Sequence, residues 1–124
     1  INANSSSGGL EHANCCVLHA NRSLYKNEIQ YGNFLGLVSH EYFHLWNVKR
    51  IRPIELGPFD YDNENYTTML WISEGFTSYY DDYICQRAGL ISSDRFLDLM
   101  VSTWVLEPHG TLGDTARSMR PIPV

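Results

Sequence analysis

The chain has few cysteines, no long hydrophobic run and no concentration of basic residues. Its three cysteines are Cys15, Cys16 and Cys85, and an odd count without a C-x-x-C spacing predicts neither a disulfide framework nor a thiolate zinc site. No apolar run approaches the roughly 18 residues that a membrane-spanning helix requires. No basic cluster is interleaved with aromatic residues, as it would be on a nucleic-acid-binding face. The sequence therefore predicts no transmembrane segment and no nucleic-acid partner.

The composition is that of an ordinary soluble domain. Of the 124 residues, 44% are hydrophobic and 19% are charged, and the formal net charge is -5. A chain of this length is expected to form at most one domain and is large enough to bury a core. Its Asn/Ser/Gly-rich start lacks the features of a signal peptide. We expect residues 1–124 to be a fragment of a longer bacterial protein, whose compartment stays open between cytoplasm, periplasm and secretion.

Hydrophobic periodicity and turn residues predict an α+β fragment that is mainly helical. A strand edge is expected over about residues 8–20, where a glycine pair precedes a short apolar run. Helices are expected over about 33–47, with Asn33 as the N-cap, over about 68–88, with Gly89 following it, and over about 93–107. The third helix is assigned to packing alone.

The most informative segment is His40-Glu41-Tyr42-Phe43-His44, which has the pattern H-E-x-x-H. Histidines four positions apart on a helix lie on one face, with about 5–6 Å between their Cβ atoms, so both rings can bind one metal ion. Apolar residues flank the segment on both sides, and a helix with such flanks is expected to be buried. Buried histidines and carboxylates need partners, which a metal ion would supply.

A third ligand is expected on another element, because catalytic zinc sites combine three protein ligands with one open position. Glu74 is the best candidate, since an ionised carboxylate among the apolar and aromatic residues of the segment 71–80 would be costly to bury without a cation. The sequence thus predicts one Zn²⁺ held by His40, His44 and Glu74. Glu41 is predicted to be the general base that takes a proton from the attacking water.

Three segments resemble the glycyl aminopeptidase family of zinc peptidases: HEYFHLWNVKRIRP at 40–53, SEGFTSYYDD at 73–82, and GGLEH at 8–12. The similarity covers most of residues 8–120. It implies a thermolysin-like catalytic domain in which the H-E-x-x-H helix and a second helix carry the ligands. It also implies the same roles for the four site residues already named, and a parent protein that commonly has a PDZ domain.

The segment 8–12 is also similar to the G-x-M-E-N signature of the related aminopeptidase N family. This similarity implies that Glu11 binds the free α-amino group of a peptide substrate. A carboxylate beside the metal would pair well with an ammonium group, and an exposed strand edge over residues 10–16 would pair with an extended peptide. The resemblance further implies that the oxyanion-binding tyrosine follows Val124, so the isolated fragment is expected to have little or no activity.

Three functions remain open from the sequence. The preferred one is a zinc aminopeptidase that removes N-terminal residues, for which the resemblance favours Gly or Ala. A zinc endopeptidase would use the same metal chemistry without the contact to Glu11. The third is a zinc- and peptide-binding module without activity. The segment 47–52 is assigned no catalytic role, and its basic residues are interpreted as the favourable charge at a helix C-terminus.

Overall fold

The computed structural model of the chain describes residues 2–3 and 7–103. Within these ranges the elements are β1 (Asn2–Ala3), β2 (Gly8–Glu11), β3 (Cys16–Asn21), α1 (Glu28–Phe43), α2 (Leu70–Arg87) and α3 (Ser93–Val101). Short 3-10 helices cover Arg22–Lys26 and Ile54–Leu56. The predicted combination of a small sheet with dominant helices is confirmed.

Strand β3 is the central strand of the sheet. β1 runs parallel to it, and β2 runs antiparallel to it with Gly8 opposite His19 and Glu11 opposite Cys16. The amide of His12 donates a hydrogen bond to the carbonyl of Cys15 at 2.8 Å and closes the hairpin between β2 and β3. In the described residues β2 pairs along one side only, so its outer side is a sheet edge.

Helix α1 begins earlier than predicted, at Glu28 rather than near residue 33. Its N-cap is Asn27, whose side-chain oxygen accepts a hydrogen bond from the amide of Gln30 at 3.0 Å. The predicted cap, Asn33, lies inside the helix, where its Oδ1 accepts from Arg95 at 3.4 Å. The start was misplaced because residues 28–32 are mostly polar and give no apolar period, while either asparagine has the chemistry of a cap.

The same helix also ends earlier than predicted, at Phe43 rather than near residue 47. Residues 44–51 form a series of tight turns instead. The carbonyl of His44 accepts from the amide of Lys49 at 3.1 Å, and that of Trp46 accepts from Ile51 at 2.7 Å. A bridge between Asn47 and Ile51 completes the segment. These contacts replace the helical hydrogen-bond pattern, so the interpretation of 47–52 as a helix C-terminus is wrong.

Helix α2 covers nearly the predicted residues, and its C-terminus has a defined cap. Gly89 has a φ of 72°, and its amide donates to the carbonyl of Gln86 at 3.0 Å while the amide of Leu90 donates to Cys85 at 2.9 Å. This is a Schellman motif, for which glycine is favoured because of its positive φ. Helix α3 is capped by Ser92, and its predicted continuation beyond residue 103 lies outside the described residues.

The α1–α2 contact buries polar groups. Helix α1 packs against α2 and also contacts β2 and β3. In the described residues the buried hydrophobic side chains are Ala20, Leu24, Leu56 and Cys85, and the buried polar ones are Glu41, His44, Ser73 and Thr77. The apolar flanks of the H-E-x-x-H segment predicted that α1 is buried. This prediction is wrong for the face of α1 that carries Tyr42, which is 56% exposed. None of the described helices has the length and hydrophobicity of a membrane span.

Because Asn27 is the cap of α1, we predict that Asn27→Ala lowers the free energy of unfolding by about 1 kcal/mol. Asn33→Ala is the matched control, and we expect it to change stability by less than about 0.5 kcal/mol. Both are measured by urea denaturation of the protein that contains this chain. A larger loss for Asn33→Ala would contradict the observed start of α1.

Candidate metal centre

Three side chains predicted to be metal ligands lie together between α1 and α2. The Nε2 atoms of His40 and His44 are 3.1 Å apart, and Glu74 Oε2 lies 3.3 Å from the first and 3.6 Å from the second. Among the described residues, these three form a group that could hold a metal ion. Ligand atoms at about 2.0–2.1 Å from a tetrahedral zinc lie about 3.3–3.4 Å from one another. The spacing of this triangle therefore fits such an ion.

Each histidine is oriented by a hydrogen bond at its other ring nitrogen. His40 Nδ1 lies 2.8 Å from Asp81 Oδ2, and His44 Nδ1 lies 2.8 Å from the carbonyl oxygen of Asn47. A carbonyl and an ionised carboxylate only accept, so both Nδ1 atoms carry the hydrogen and both Nε2 atoms are left to bind a cation. Such partners commonly fix the orientation of metal-binding histidines.

Sequence reasoning missed Asp81, although a signal for it exists. Asp81 follows Glu74 by seven positions, which is two turns of α2, so the two carboxylates lie on the same face of that helix. Burial raises the pKa of the Asp81 carboxyl, although its hydrogen bond to His40 acts in the opposite direction. A partly buried carboxylate at this spacing from a candidate ligand is typical of a residue that orients a histidine.

The ligand triangle holds a proton when no cation is present. Burial lowers the pKa of His40, but hydrogen bonds and charges from Asp81 and Glu74 outweigh it and raise that pKa to about 10. Burial raises the pKa of Glu74, but hydrogen bonds from His40 and His44 outweigh it and lower that pKa to about 2. At neutral pH the metal-free triangle is thus an ionised carboxylate against a protonated imidazole, and a metal ion would displace that proton.

Glu41, the predicted base, is only 6% exposed and lies beneath strand β2. A methyl group built on Gly9 would overlap Cγ and Cδ of Glu41, so the strand passes directly over the carboxylate with no side chain between them. Burial raises the pKa of Glu41, the positive histidines lower it, and the charges of Glu11 and Glu74 raise it further, with a net shift upward. The glycine pair thus brings the sheet close to the candidate base.

Glu11 lies at the end of β2 and already has a cationic partner. Its Oε1 is 3.0 Å from the Lys49 ammonium, and both side chains are about one-fifth exposed. The sequence did not predict this pair, because Lys49 was assigned to a helix terminus that is absent. The charge of Glu11 contributes to the raised pKa of Glu41, so the two carboxylates interact electrostatically.

Thr77 forms hydrogen bonds within α2 and also with the segment that follows α1. It is fully buried, and its hydroxyl donates to the carbonyl of Ser73 at 2.6 Å. The same oxygen lies 3.4 Å from His44 Nδ1 and accepts from the side-chain amide of Asn47 at 3.1 Å. Thr77 therefore connects the backbone of α2 with residues that follow α1.

Comparisons with known proteins point to one enzyme class. Residues 33–121, well over half of the chain, match the family model of the M61 glycyl aminopeptidases. The chain is similar to the crystal structure of an aminopeptidase N family protein from Idiomarina loihiensis, with 40% sequence identity and a TM-score of 0.71. That similarity covers 77% of this chain and 17% of that protein, so the chain spans a small part of its length. No curated protein matches the chain.

Because Gly9 contacts Glu41 so closely, we predict that Gly9→Ala lowers the free energy of unfolding by about 1–3 kcal/mol, as overpacking does. Gly32→Ala is the matched control: it lies in α1, where an added Cβ would meet no atom within 4 Å, and it should stabilise by up to about 1 kcal/mol. Thermal and urea unfolding of both variants provide the measurement. Equal stability of the two variants would show that β2 does not press on Glu41.

Proposed function

The chain belongs to the M61 glycyl aminopeptidase family, and we propose that it carries the metal site of a zinc-dependent aminopeptidase. The observation that supports this most is the triangle of two imidazole nitrogens and one carboxylate oxygen, with sides of 3.1, 3.3 and 3.6 Å. Two histidines and one glutamate are a ligand set of catalytic zinc, in which a fourth position stays open. We likewise propose that α1 and α2 are the ligand helices of a thermolysin-like catalytic domain.

The residues around the site have distinct tasks in this proposal. Zinc bound by His40, His44 and Glu74 would acidify a water molecule and polarise the peptide carbonyl. Glu41 would take the proton of the attacking water and deliver it to the leaving amine. Burial raises the pKa of Glu41, which brings its proton affinity nearer to the working pH of a general base. Asp81 would keep His40 oriented throughout.

Glu11 is proposed to bind the free α-amino group of the peptide. The Lys49 ammonium lies 3.0 Å from Glu11 Oε1, which supports the view that this carboxylate accepts an alkylammonium group in this position. A substrate amine would share Glu11 with Lys49 or replace it. The outer edge of β2 would pair with the extended peptide backbone, as in β-augmentation. Glycine or alanine as the preferred first residue is proposed from the family alone.

Two other functions use parts of the same site. A zinc endopeptidase would need the three ligands and Glu41 but no interaction between Glu11 and an amine. A silent zinc- and peptide-binding module would need the ligands alone. The Gly9–Glu41 contact favours an enzyme, because a binding module gains nothing from a buried carboxylate held beside the ligands. Because the chain spans 17% of the similar protein, peptide hydrolysis is proposed for the whole protein that contains it.

We predict that Glu41→Gln retains about one zinc per chain and lowers kcat/KM for peptides by at least about 100-fold, the usual contribution of a general base. Glu74→Ala should lose the metal as well as the activity, because it removes a ligand. Metal content by plasma mass spectrometry and peptide hydrolysis are measured in the intact protein. Glu55→Gln, which changes an exposed carboxylate that has no role in the proposal, is the control. Full activity of Glu41→Gln would contradict the assignment of the base.

We predict that Glu11→Gln lowers kcat/KM for peptides with a free N-terminus by about 10- to 100-fold, since a charge-assisted hydrogen bond contributes about 1.5–3 kcal/mol. N-acetylated peptides have no ammonium group, so their hydrolysis should change little. The exposed Glu28→Gln serves as the control. An equal loss for both kinds of peptide would count against an aminopeptidase and in favour of an endopeptidase.

A further inference from the structure

Asn47 forms hydrogen bonds with one candidate ligand, His44, and with the part of α2 that carries another, Glu74. Its main-chain oxygen lies 2.8 Å from His44 Nδ1, and its side-chain nitrogen donates to the Ser73 carbonyl at 3.0 Å and to Thr77 Oγ1 at 3.1 Å. We propose that Asn47 is a positioning residue that fixes the His44 ring and the backbone next to Glu74 relative to each other, and thereby sets the metal affinity. This inference rests on the proposed zinc site.

The orientation of the Asn47 side chain follows from its neighbours. The carbonyls of Ser73 and Ile72, at 3.0 and 3.4 Å, only accept hydrogen bonds, so the amide nitrogen must face α2. The hydroxyl hydrogen of Thr77 is used in the bond to Ser73, which leaves its oxygen as an acceptor for Asn47. The two hydrogens of the amide thus match the two nearest acceptors.

The bond to Ser73 acts directly on Glu74. The Ser73 carbonyl and the Glu74 amide belong to one planar peptide unit. A hydrogen bond to that carbonyl therefore also fixes the position of the Glu74 backbone nitrogen and Cα. Thr77 adds a second contact one helical turn further along α2. Asn47 therefore ties the backbone that carries one candidate ligand to the ring of another, His44, which it orients through its own carbonyl.

Water cannot easily replace these bonds. Ser73, Thr77 and His44 are 1%, 0% and 3% exposed, and a buried acceptor that loses its donor stays unsatisfied. A residue with a purely structural role would change stability only. A positioning residue changes the affinity of the folded protein for the metal, because Glu74 and His44 no longer converge at the separation that the ion requires.

The test replaces Asn47 by aspartate in the intact protein that contains this chain. Asn47→Asp keeps the side-chain shape and the main-chain carbonyl, but it turns a carboxylate oxygen toward two carbonyls and removes the donors. We expect Zn²⁺ affinity, measured by competition with a chromophoric chelator, to fall about 10- to 100-fold. The visible absorption spectrum of the Co²⁺ form should also change, because it reports the coordination geometry. Asn33→Ala, which removes a contact between α1 and α3, should leave both readouts unchanged.

Asn47→Ala and Thr77→Val provide a second route that adds no charge, and circular dichroism identifies the variants that fold. If Asn47 and Thr77 act as one unit, their effects are not additive. The double variant should then bind zinc no more weakly than whichever single variant has the lower zinc affinity. Zinc affinity within twofold of wild type in these variants, or an equal loss in Asn33→Ala, would overturn the role of Asn47 alone. Absence of zinc binding in the wild-type protein would overturn the proposed function together with it.

Discussion

The site depends on hydrogen bonds among the polar groups of His44, Ser73, Thr77 and Asn47, which meet where α1 packs against α2. Ser73, Thr77 and His44 are almost completely buried, and the Ser73 carbonyl, the Thr77 hydroxyl and His44 Nδ1 form hydrogen bonds with one another or with Asn47. Two imidazole nitrogens and one carboxylate oxygen remain, and they face a common point. Such a set is stable only when it shares a cation, whether that cation is a proton or a metal ion.

The other elements fix what surrounds this point. Strand β2 approaches so closely that only glycine is tolerated above Glu41, and the strand ends at Glu11. The turns that follow α1 place Lys49 next to Glu11 and Asn47 against α2. A short segment after the H-E-x-x-H helix thus connects the sheet, the first helix and the second helix. Its backbone is itself tied to the first helix, because the Lys49 amide donates to the His44 carbonyl.

The sequence was sufficient to predict that His40, His44 and Glu74 lie together, but not how they are supported. His40 and His44 have a spacing that only a helix converts into proximity. Glu74 was selected because its sequence segment is rich in apolar and aromatic residues, although its side chain is 32% exposed in the structure. The start of α1 was not predictable from the pattern, because Asn27 and Asn33 have equal cap chemistry. The Lys49–Glu11 pair and the contacts of Asn47 join elements that are distant in sequence, and no local period encodes them. Asp81 was not predicted, but it could have been, since its seven-residue spacing from Glu74 indicates a shared helix face.

All the candidate ligands, together with both groups that orient the histidines, lie between residues 40 and 81. A single cation therefore closes one short loop of the chain, and the entropy lost on closing a loop grows only slowly with its length. One segment of the chain, 40–81, thus carries the complete donor set. A metal ion bound as proposed would tie α1 to α2 through this segment alone, so its binding would be coupled to the folding of the segment.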